Sequence, residues 1–250
     1  GEIRSLGGHI YSLPRFKIFN IAEYRKAIRT FFKEHKEFNV IQGHMTSTAA
    51  IYLPIAKQEY ARQSLPLIAH ARSAGVDKGL KGIATRVLRI SLKNRADYLF
   101  TCSKEAGIAV YGAKAVRDGK VWTIPNAIDA ERFHFQQNVR DEIRAELGIQ
   151  DKFVIGHVGR FGFMKNHTYL VDIFAKVCKE RDDAVLVMIG KGEQEETIRE
   201  KIKGLGLEDK AYFLGNRYDV EKYYQAFDYF VFPSTFEGLP GSVAEAQAAG

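Results

Sequence analysis

The chain has 250 residues, 46% of them hydrophobic and 27% charged, the composition of a globular protein too long for one small domain. No run of about 18 apolar residues exists and no basic stretch leads into an apolar one, which argues against a membrane span or secretory leader and sets the cytoplasm as the expected address. Only Cys102 and Cys178 are present, both expected as buried thiols rather than disulfide or zinc ligands, and the net charge of +7 suits an acidic partner, be it nucleotide sugar, anionic lipid or nucleic acid.

In chain order, Asn39 to Gln42, Leu67 to Ala69, Tyr98 to Cys102 and Val121 to Ile124 read as buried strands with helices between them. Residues 126–152 hold a charged amphipathic helix, Val139 to Leu147, stopped at Gly148, and are expected as a linker. The second half is more regular. Apolar runs at Phe153 to Val158, Ala184 to Gly190, Ala211 to Gly215 and Tyr229 to Phe232 alternate with helical patterns near His167 to Glu180, Glu193 to Lys203 and Val220 to Ala226. That alternation predicts parallel βαβ units and a sheet covered on both faces. The chain is therefore expected to be α/β, with two Rossmann-like domains, residues 1–125 and 153–250, facing a cleft.

The most informative segment is Ser234 to Ala246. Glu237 and Glu245 stand eight residues apart across a turn rich in Gly and Pro. Gly238, Pro240 and Gly241 exclude a helix there, and Ser242 with Glu245 three residues on is a capping-box signature, so a helix is expected to start at Ser242. A helix N-terminus at the carboxyl end of a parallel strand attracts anions, and ionised carboxylates accept from sugar hydroxyls. Phosphate plus sugar means a nucleotide sugar. After strand Phe153 to Val158, Gly159 lets backbone approach a ligand, Arg160 offers a bidentate fork and Lys165 a point charge. For any single basic residue a solvated loop is the plainer reading.

The Glu237-x7-Glu245 element, the loop His157 to His167 and the segment Ile124-Pro-Asn-Ala-Ile-Asp129 resemble, in order, the sugar-binding turn, diphosphate loop and inter-domain segment of family 4 glycosyltransferases of the GT-B superfamily. The phrasing around Ile41 to Met45 and Ile68 to Arg72 resembles bacterial exopolysaccharide glycosyltransferases. The resemblance covers essentially the whole chain. It implies that Arg160 and Lys165 clamp the donor diphosphate, with Gly159, Gly238 and Leu239 also on the donor side. It further implies that Glu237 lies beside the donor sugar, that Glu245 binds ribose hydroxyls, that backbone near Arg217 holds the nucleobase, and that His70 contacts the transferred sugar. His44 is expected on the acceptor side, with Arg72 and Ser103 as weaker candidates. Glu245 retains its alternative as a cap partner of Ser242, and Arg217 its alternative as a surface arginine. Ala127, where the family usually has Gly, departs from the pattern. Gly190-Lys-Gly192 is the plainer tight turn.

The implied activity is retaining transfer of a hexosyl group from a UDP-linked or similar donor to a polysaccharide or lipid-linked precursor. No Asp-x-Asp and no His/Cys cluster with metal spacing occurs, so no metal cofactor is expected and protein charge must stabilise the leaving diphosphate. A nucleotide-sugar epimerase and an inactive nucleotide-sugar-binding fragment are the alternatives. RNA binding is disfavoured because aromatics do not interleave with basic residues. The family's first glycine-rich strand and its C-terminal elements have no counterpart here, so both domains are expected to be incomplete. Lys78, Lys81, Arg86, Arg89 and Lys93 fall on one face of a predicted helix, with Leu80, Ile83, Ala84 and Val87 opposite and Leu92 on the basic side, a pattern that suits docking at the inner, anionic face of a plasma membrane.

Overall fold

The computed structural model describes residues 2–73, 75 and 79–250. The chain forms two compact units, Gly1–Pro125 and Asn126–Gly250. Residues 126–152, expected as a linker, group with the second unit.

In the first unit the order is α1 (Glu2–Ser5), α2 (Ile21–Glu34), β1 (Ile41–Gly43), α3 (Thr46–Glu59), β2 (Leu67–Ala71), α4 (Gly79–Ile90), β3 (Tyr98–Thr101), α5 (Lys104–Tyr111), α6 (Ala113–Arg117) and β4 (Val121–Thr123). The four strands are parallel in the order β1-β2-β3-β4. Parallel strands need helical crossovers, and every strand here is followed by one or by a long connection. The core gathers Ile28 and Phe32 of α2, Leu53 and Ile55 of α3, Leu67 and Ala69 of β2, and Tyr111 of α5. Buried Tyr111 donates its hydroxyl to Ala69 O at 2.7 Å, so the ring fills the core while its polar tip closes a strand carbonyl.

The second unit runs α7 (Gln137–Leu147), β5 (Phe153–Val158), α8 (His167–Glu180), β6 (Ala184–Ile189), α9 (Glu195–Gly204), β7 (Ala211–Phe213), α10 (Val220–Gln225), β8 (Tyr229–Phe230) and α11 (Gly241–Ala248). Its parallel sheet has the order β7-β6-β5-β8. Every residue of β6 is buried, which is why Ala184 to Ile189 is continuously apolar rather than alternating. Leu170, Val171 and Phe174 of α8 and Ile198 and Ile202 of α9 cover one core with Leu186 and Met188. Gly156 permits the opposite packing, because a Cβ there would stand 2.1 Å from the Phe227 ring.

Helix α7 belongs here through charge as well as apolar contact. Arg144 donates to Asp228 Oδ2 at 2.6 Å and to the carbonyls of Ala226, Gln150 and Lys152, while Arg140 also pairs with Asp228. Asp228 in turn accepts from Val154 N at 2.7 Å. One carboxylate thus fastens α7 to the entrances of β5 and β8. Of the cysteines, Cys102 is buried and Cys178 only half-buried, the latter at the rim of the β5–β6 core.

Candidate functional site

The order β7-β6-β5-β8 contains one reversal. From β5 the chain steps through α8 to β6 and β7, then returns to place β8 on β5's other side. The loops leaving the carboxyl ends of β5 and β8 therefore stand at the switch point of the sheet, the place where open α/β sheets bind ligands. Both motifs singled out from sequence occupy these two loops.

The loops are tied together. Thr235 N donates to Met164 O at 2.9 Å, and Asn166 Nδ2 to Pro233 O at 3.3 Å. Asn166 has φ 54°, the one non-glycine residue with positive φ among those described, a conformation Asn tolerates better than most. Across this seam Lys165 Nζ lies 3.0 Å from Glu237 Oε1, both side chains about three-quarters buried, and 4.3 Å from the centroid of the Phe232 ring. The expected phosphate cation and the expected sugar carboxylate thus meet at the switch point.

The β6–α9 loop forms the other wall. Gly159 N donates to Ile189 O at 2.9 Å, and Phe161 N to Lys191 O at 3.2 Å. Gly190 has φ 136°, and a Cβ there would lie 2.1 Å from Gly159 O. The Gly190-Lys-Gly192 turn is therefore a backbone-to-backbone spacer behind the β5–α8 loop. Arg160 turns to Glu193 on this wall, at 2.9 Å, with both side chains largely exposed. It does not share the Lys165–Glu237 pair. Arg217, in the loop after β7, lies over the Tyr223 ring with 5.2 Å to the centroid.

The capping box is overturned. Helix α11 starts at Gly241 with Pro240 at its N-cap and no side-chain cap, so Ser242 lies inside the helix. Glu245 instead accepts from the Tyr224 hydroxyl at 2.9 Å. Burial first, and then the Glu245 carboxylate, push the Tyr224 phenol far above its ordinary range, which keeps it a donor. Gly238 and Leu239 lie on the turn before α11, where Leu239 O accepts from Asn126 Nδ2 at 2.7 Å.

Beneath the β5–α8 loop lie two groups that carried no sequence signal of their own. His157 in β5 and His167 at the start of α8 are both fully buried, with ring centroids 4.6 Å apart. His157 Nδ1 lies 2.8 Å from Val231 O and donates to it, and His167 stacks on Phe161 at 4.1 Å. Burial pushes His157 down to about 4 and His167 to about 3, with the Lys165 charge adding to both.

In the first unit, His70 is the penultimate residue of β2 and is buried, with Nδ1 2.9 Å from Gln42 Nε2. An amide donor there makes Nδ1 the acceptor and leaves the proton on Nε2. His44, following β1, lies with its ring centroid 5.2 Å from that of His70. Burial, followed by His44 and Arg72, lowers the His70 pKa; burial and then Arg72 lower that of His44. Both rings are thereby biased to neutral. Ser103 caps α5, accepting from Ala106 N at 3.2 Å, which gives it a structural role.

The basic face does not form as expected. Helix α4 ends at Ile90 and the chain enters a 3-10 turn at Leu92–Asn94, so Leu92 leaves the helical register and is fully buried, while Lys93 is exposed on the turn. Ile83, Val87 and Ile90, at 57%, 60% and 69% exposure, face outward rather than into the domain. Arg86 is exposed, and Arg89 donates to Gly75 O at 3.2 Å. Lys78 and the Lys81 side chain lie outside the described residues. No helix among the described residues is long and apolar enough to cross a membrane.

Residues 139–250 match the family model described as Glycosyl transferases group 1. The whole chain is 30% identical to EpsF of Bacillus subtilis (strain 168), named as a glycosyltransferase, and spans 65% of that protein's length. About half of the chain, 52%, is 34% identical to 35% of the UDP-Gal:alpha-D-GlcNAc-diphosphoundecaprenol alpha-1,3-galactosyltransferase of Escherichia coli. Among solved structures, HepE (Alr3699) of Anabaena in complex with UDP-glucose superposes with a TM-score of 0.81 at 22% identity, over 99% of this chain and 67% of that one. That likeness concerns the fold.

Proposed function

We propose that the chain is a group 1 glycosyltransferase of the GT-B class, as the family model over residues 139–250 and the 30% identity to EpsF support, and that it serves retaining transfer of a hexosyl group from a UDP-linked sugar to a saccharide or lipid-linked acceptor of a bacterial surface polysaccharide. The observation that carries this reading is the Lys165–Glu237 pair at the β5/β8 switch point. The relative named for UDP-Gal, and the similarly folded HepE solved in complex with UDP-glucose, support UDP as the nucleotide.

The chemistry follows from the charges. Breaking the bond between the anomeric carbon and the diphosphate leaves negative charge on the departing oxygen. Lys165 stands ready to offset it without reorganisation, because Glu237, Phe232 and the Thr235–Met164 seam already hold the loop. Arg160 can swing from its exposed pair with Glu193 to add a bidentate contact. Glu237 carries the acceptor oxygens for sugar hydroxyls, and Glu245, steadied by Tyr224, those for the ribose. Backbone near Arg217 holds the base. In the first unit His70, its tautomer set by Gln42, is assigned to the transferred sugar and His44 to the acceptor side. No metal is required on this reading, so activity should survive EDTA. The address is the cytoplasm, with peripheral docking at the inner face of the plasma membrane.

Titration of UDP against charge variants tests the reading. Lys165→Ala should weaken UDP about tenfold to a hundredfold, the loss of a charge-assisted contact of about 1.5–3 kcal/mol. Glu237→Gln should bind UDP at least as tightly, since it frees Lys165 and removes a like charge, yet slow transfer. Unchanged UDP affinity in Lys165→Ala would remove the diphosphate from this switch point.

A further inference from the structure

The first unit holds a groove of about 730 Å³ that none of the roles assigned so far uses, and its size is that of a small-molecule site. One wall is the extended segment carrying Leu13 and Phe16, with Phe19 beyond it. Another is Met45 with the first turn of α3, and the third is α4, through Thr85 and Leu88. Phe19 is 86% exposed, Met45 68% and Leu13 40%. Single exposed apolar side chains are ordinary, but several lining one concavity mark a place where something apolar is meant to sit.

Among the described residues the charges on the groove are of one sign. Arg15 and Lys17 line it, both exposed, and no carboxylate among the described residues does. Lys17 Nζ sits 5.6 Å from the centroid of the Phe19 ring, so the cation is held over the apolar trough rather than released to solvent. A hydrocarbon channel with two cations at its rim complements an amphipathic anion whose head carries more than one negative charge; a neutral lipid would leave Arg15 and Lys17 unanswered, and a free anion would leave the trough wet. Met45 directly follows His44, so the groove opens beside the residue assigned to the acceptor side.

We propose that this groove seats the hydrocarbon chain of a lipid diphosphate acceptor, with Arg15 and Lys17 taking its diphosphate. The word acceptor rests on the glycosyl-transfer reading; the groove and its ligand chemistry do not. The probe is farnesyl diphosphate, titrated into the chain with and without saturating UDP, with inorganic pyrophosphate and farnesol in parallel. Farnesyl diphosphate should bind at least tenfold more tightly than either half alone, UDP should not compete, and Arg15→Glu with Lys17→Glu should weaken it at least tenfold. Phe19→Ser, at an exposed position that cannot unfold the core, should also weaken it, whereas Arg25→Glu on the outer face of α2 should not. Equal binding of farnesol, equal binding of pyrophosphate, competition by UDP, or indifference to the Arg15/Lys17 reversal would overturn the assignment. So would concentration-dependent self-association abolished by Phe19→Ser, which would give the groove to a second copy. UDP titration of the same protein separates the two readings: binding of farnesyl diphosphate without UDP binding sinks the donor site alone, and the converse sinks the groove alone.

Discussion

Lowering the pH from 7 to 5 should strip the second unit of a large part of its stability through two side chains, His157 and His167. Both are fully buried, and burial holds them near 4 and 3, against about 6.5 in an unfolded chain. The folded pKa lies below the unfolded one, so between these limits the unfolded state binds more protons and stability falls as pH falls. Above about pH 6.5 the two states are equally deprotonated and the contribution is whole. The slope is about 1.4 kcal/mol per pH unit for each histidine once the unfolded side chain is protonated, which integrates to about 2 kcal/mol each, and about 4 together, between pH 7 and 5. Against a typical total of about 5–15 kcal/mol that is decisive. Carboxylates contribute little in this window, since they titrate lower. Urea unfolding followed by far-UV circular dichroism at the two pH values measures the loss. His167→Phe, which preserves the stack on Phe161, should recover about half of it, and His157→Gln, which keeps a donor for Val231 O, about the other half. Trp122, the single tryptophan, lies in β4 of the first unit, so its fluorescence transition should ignore both substitutions. If wild type and both variants lose the same free energy between pH 7 and 5, the reasoning fails.

Three further outcomes are expected. Glu245→Gln keeps an acceptor for the Tyr224 hydroxyl, so stability should change by less than about 1 kcal/mol, while UDP affinity should drop; titration calorimetry showing wild-type affinity would leave Glu245 a purely structural partner of Tyr224. Gly190→Ala places a Cβ 2.1 Å from Gly159 O at φ 136° and should cost several kcal/mol, about 3 or more, with UDP binding lost alongside; a thermal midpoint within a degree or two of wild type would refute it. Helix α4 should bind anionic vesicles in a salt-sensitive manner, with Ile83, Val87 and Ile90 entering the interface and Arg86 and Lys93 meeting the headgroups, each cation contributing about 1 kcal/mol. Val87→Asp together with Arg86→Glu should abolish sedimentation with such vesicles, and equal binding to neutral vesicles would rule the electrostatic part out.

The residues alone determined a good deal. Apolar runs as distinctive as Ala184 to Ile189, with helical patterns between them, are local signals, and β5, α8, β6, α9 and β7 form within a residue or two of where the pattern puts them. Lys165 and Glu237 were legible because a basic residue after a strand and an acid before a Gly/Pro turn are also local features. That the two meet at 3.0 Å was not legible as geometry, since it depends on β8 pairing with β5 rather than with β7. The same distinction explains the misreadings. Ser242 and Glu245 have the spacing of a capping box, but α11 begins one residue earlier and Tyr224, from a different helix, claims the carboxylate. Leu92 fits a basic helical face only if the helix continues, and it stops at Ile90. Gln42 beside His70, and His157 beneath Lys165, carried no local signature. A pattern along the chain records each residue's own preference for water, apolar surroundings or a turn. Which buried nitrogen finds which partner is decided by strand order and helix packing, because those bring together groups separated by 28 residues, as at His70 and Gln42, or by 72, as between Lys165 and Glu237.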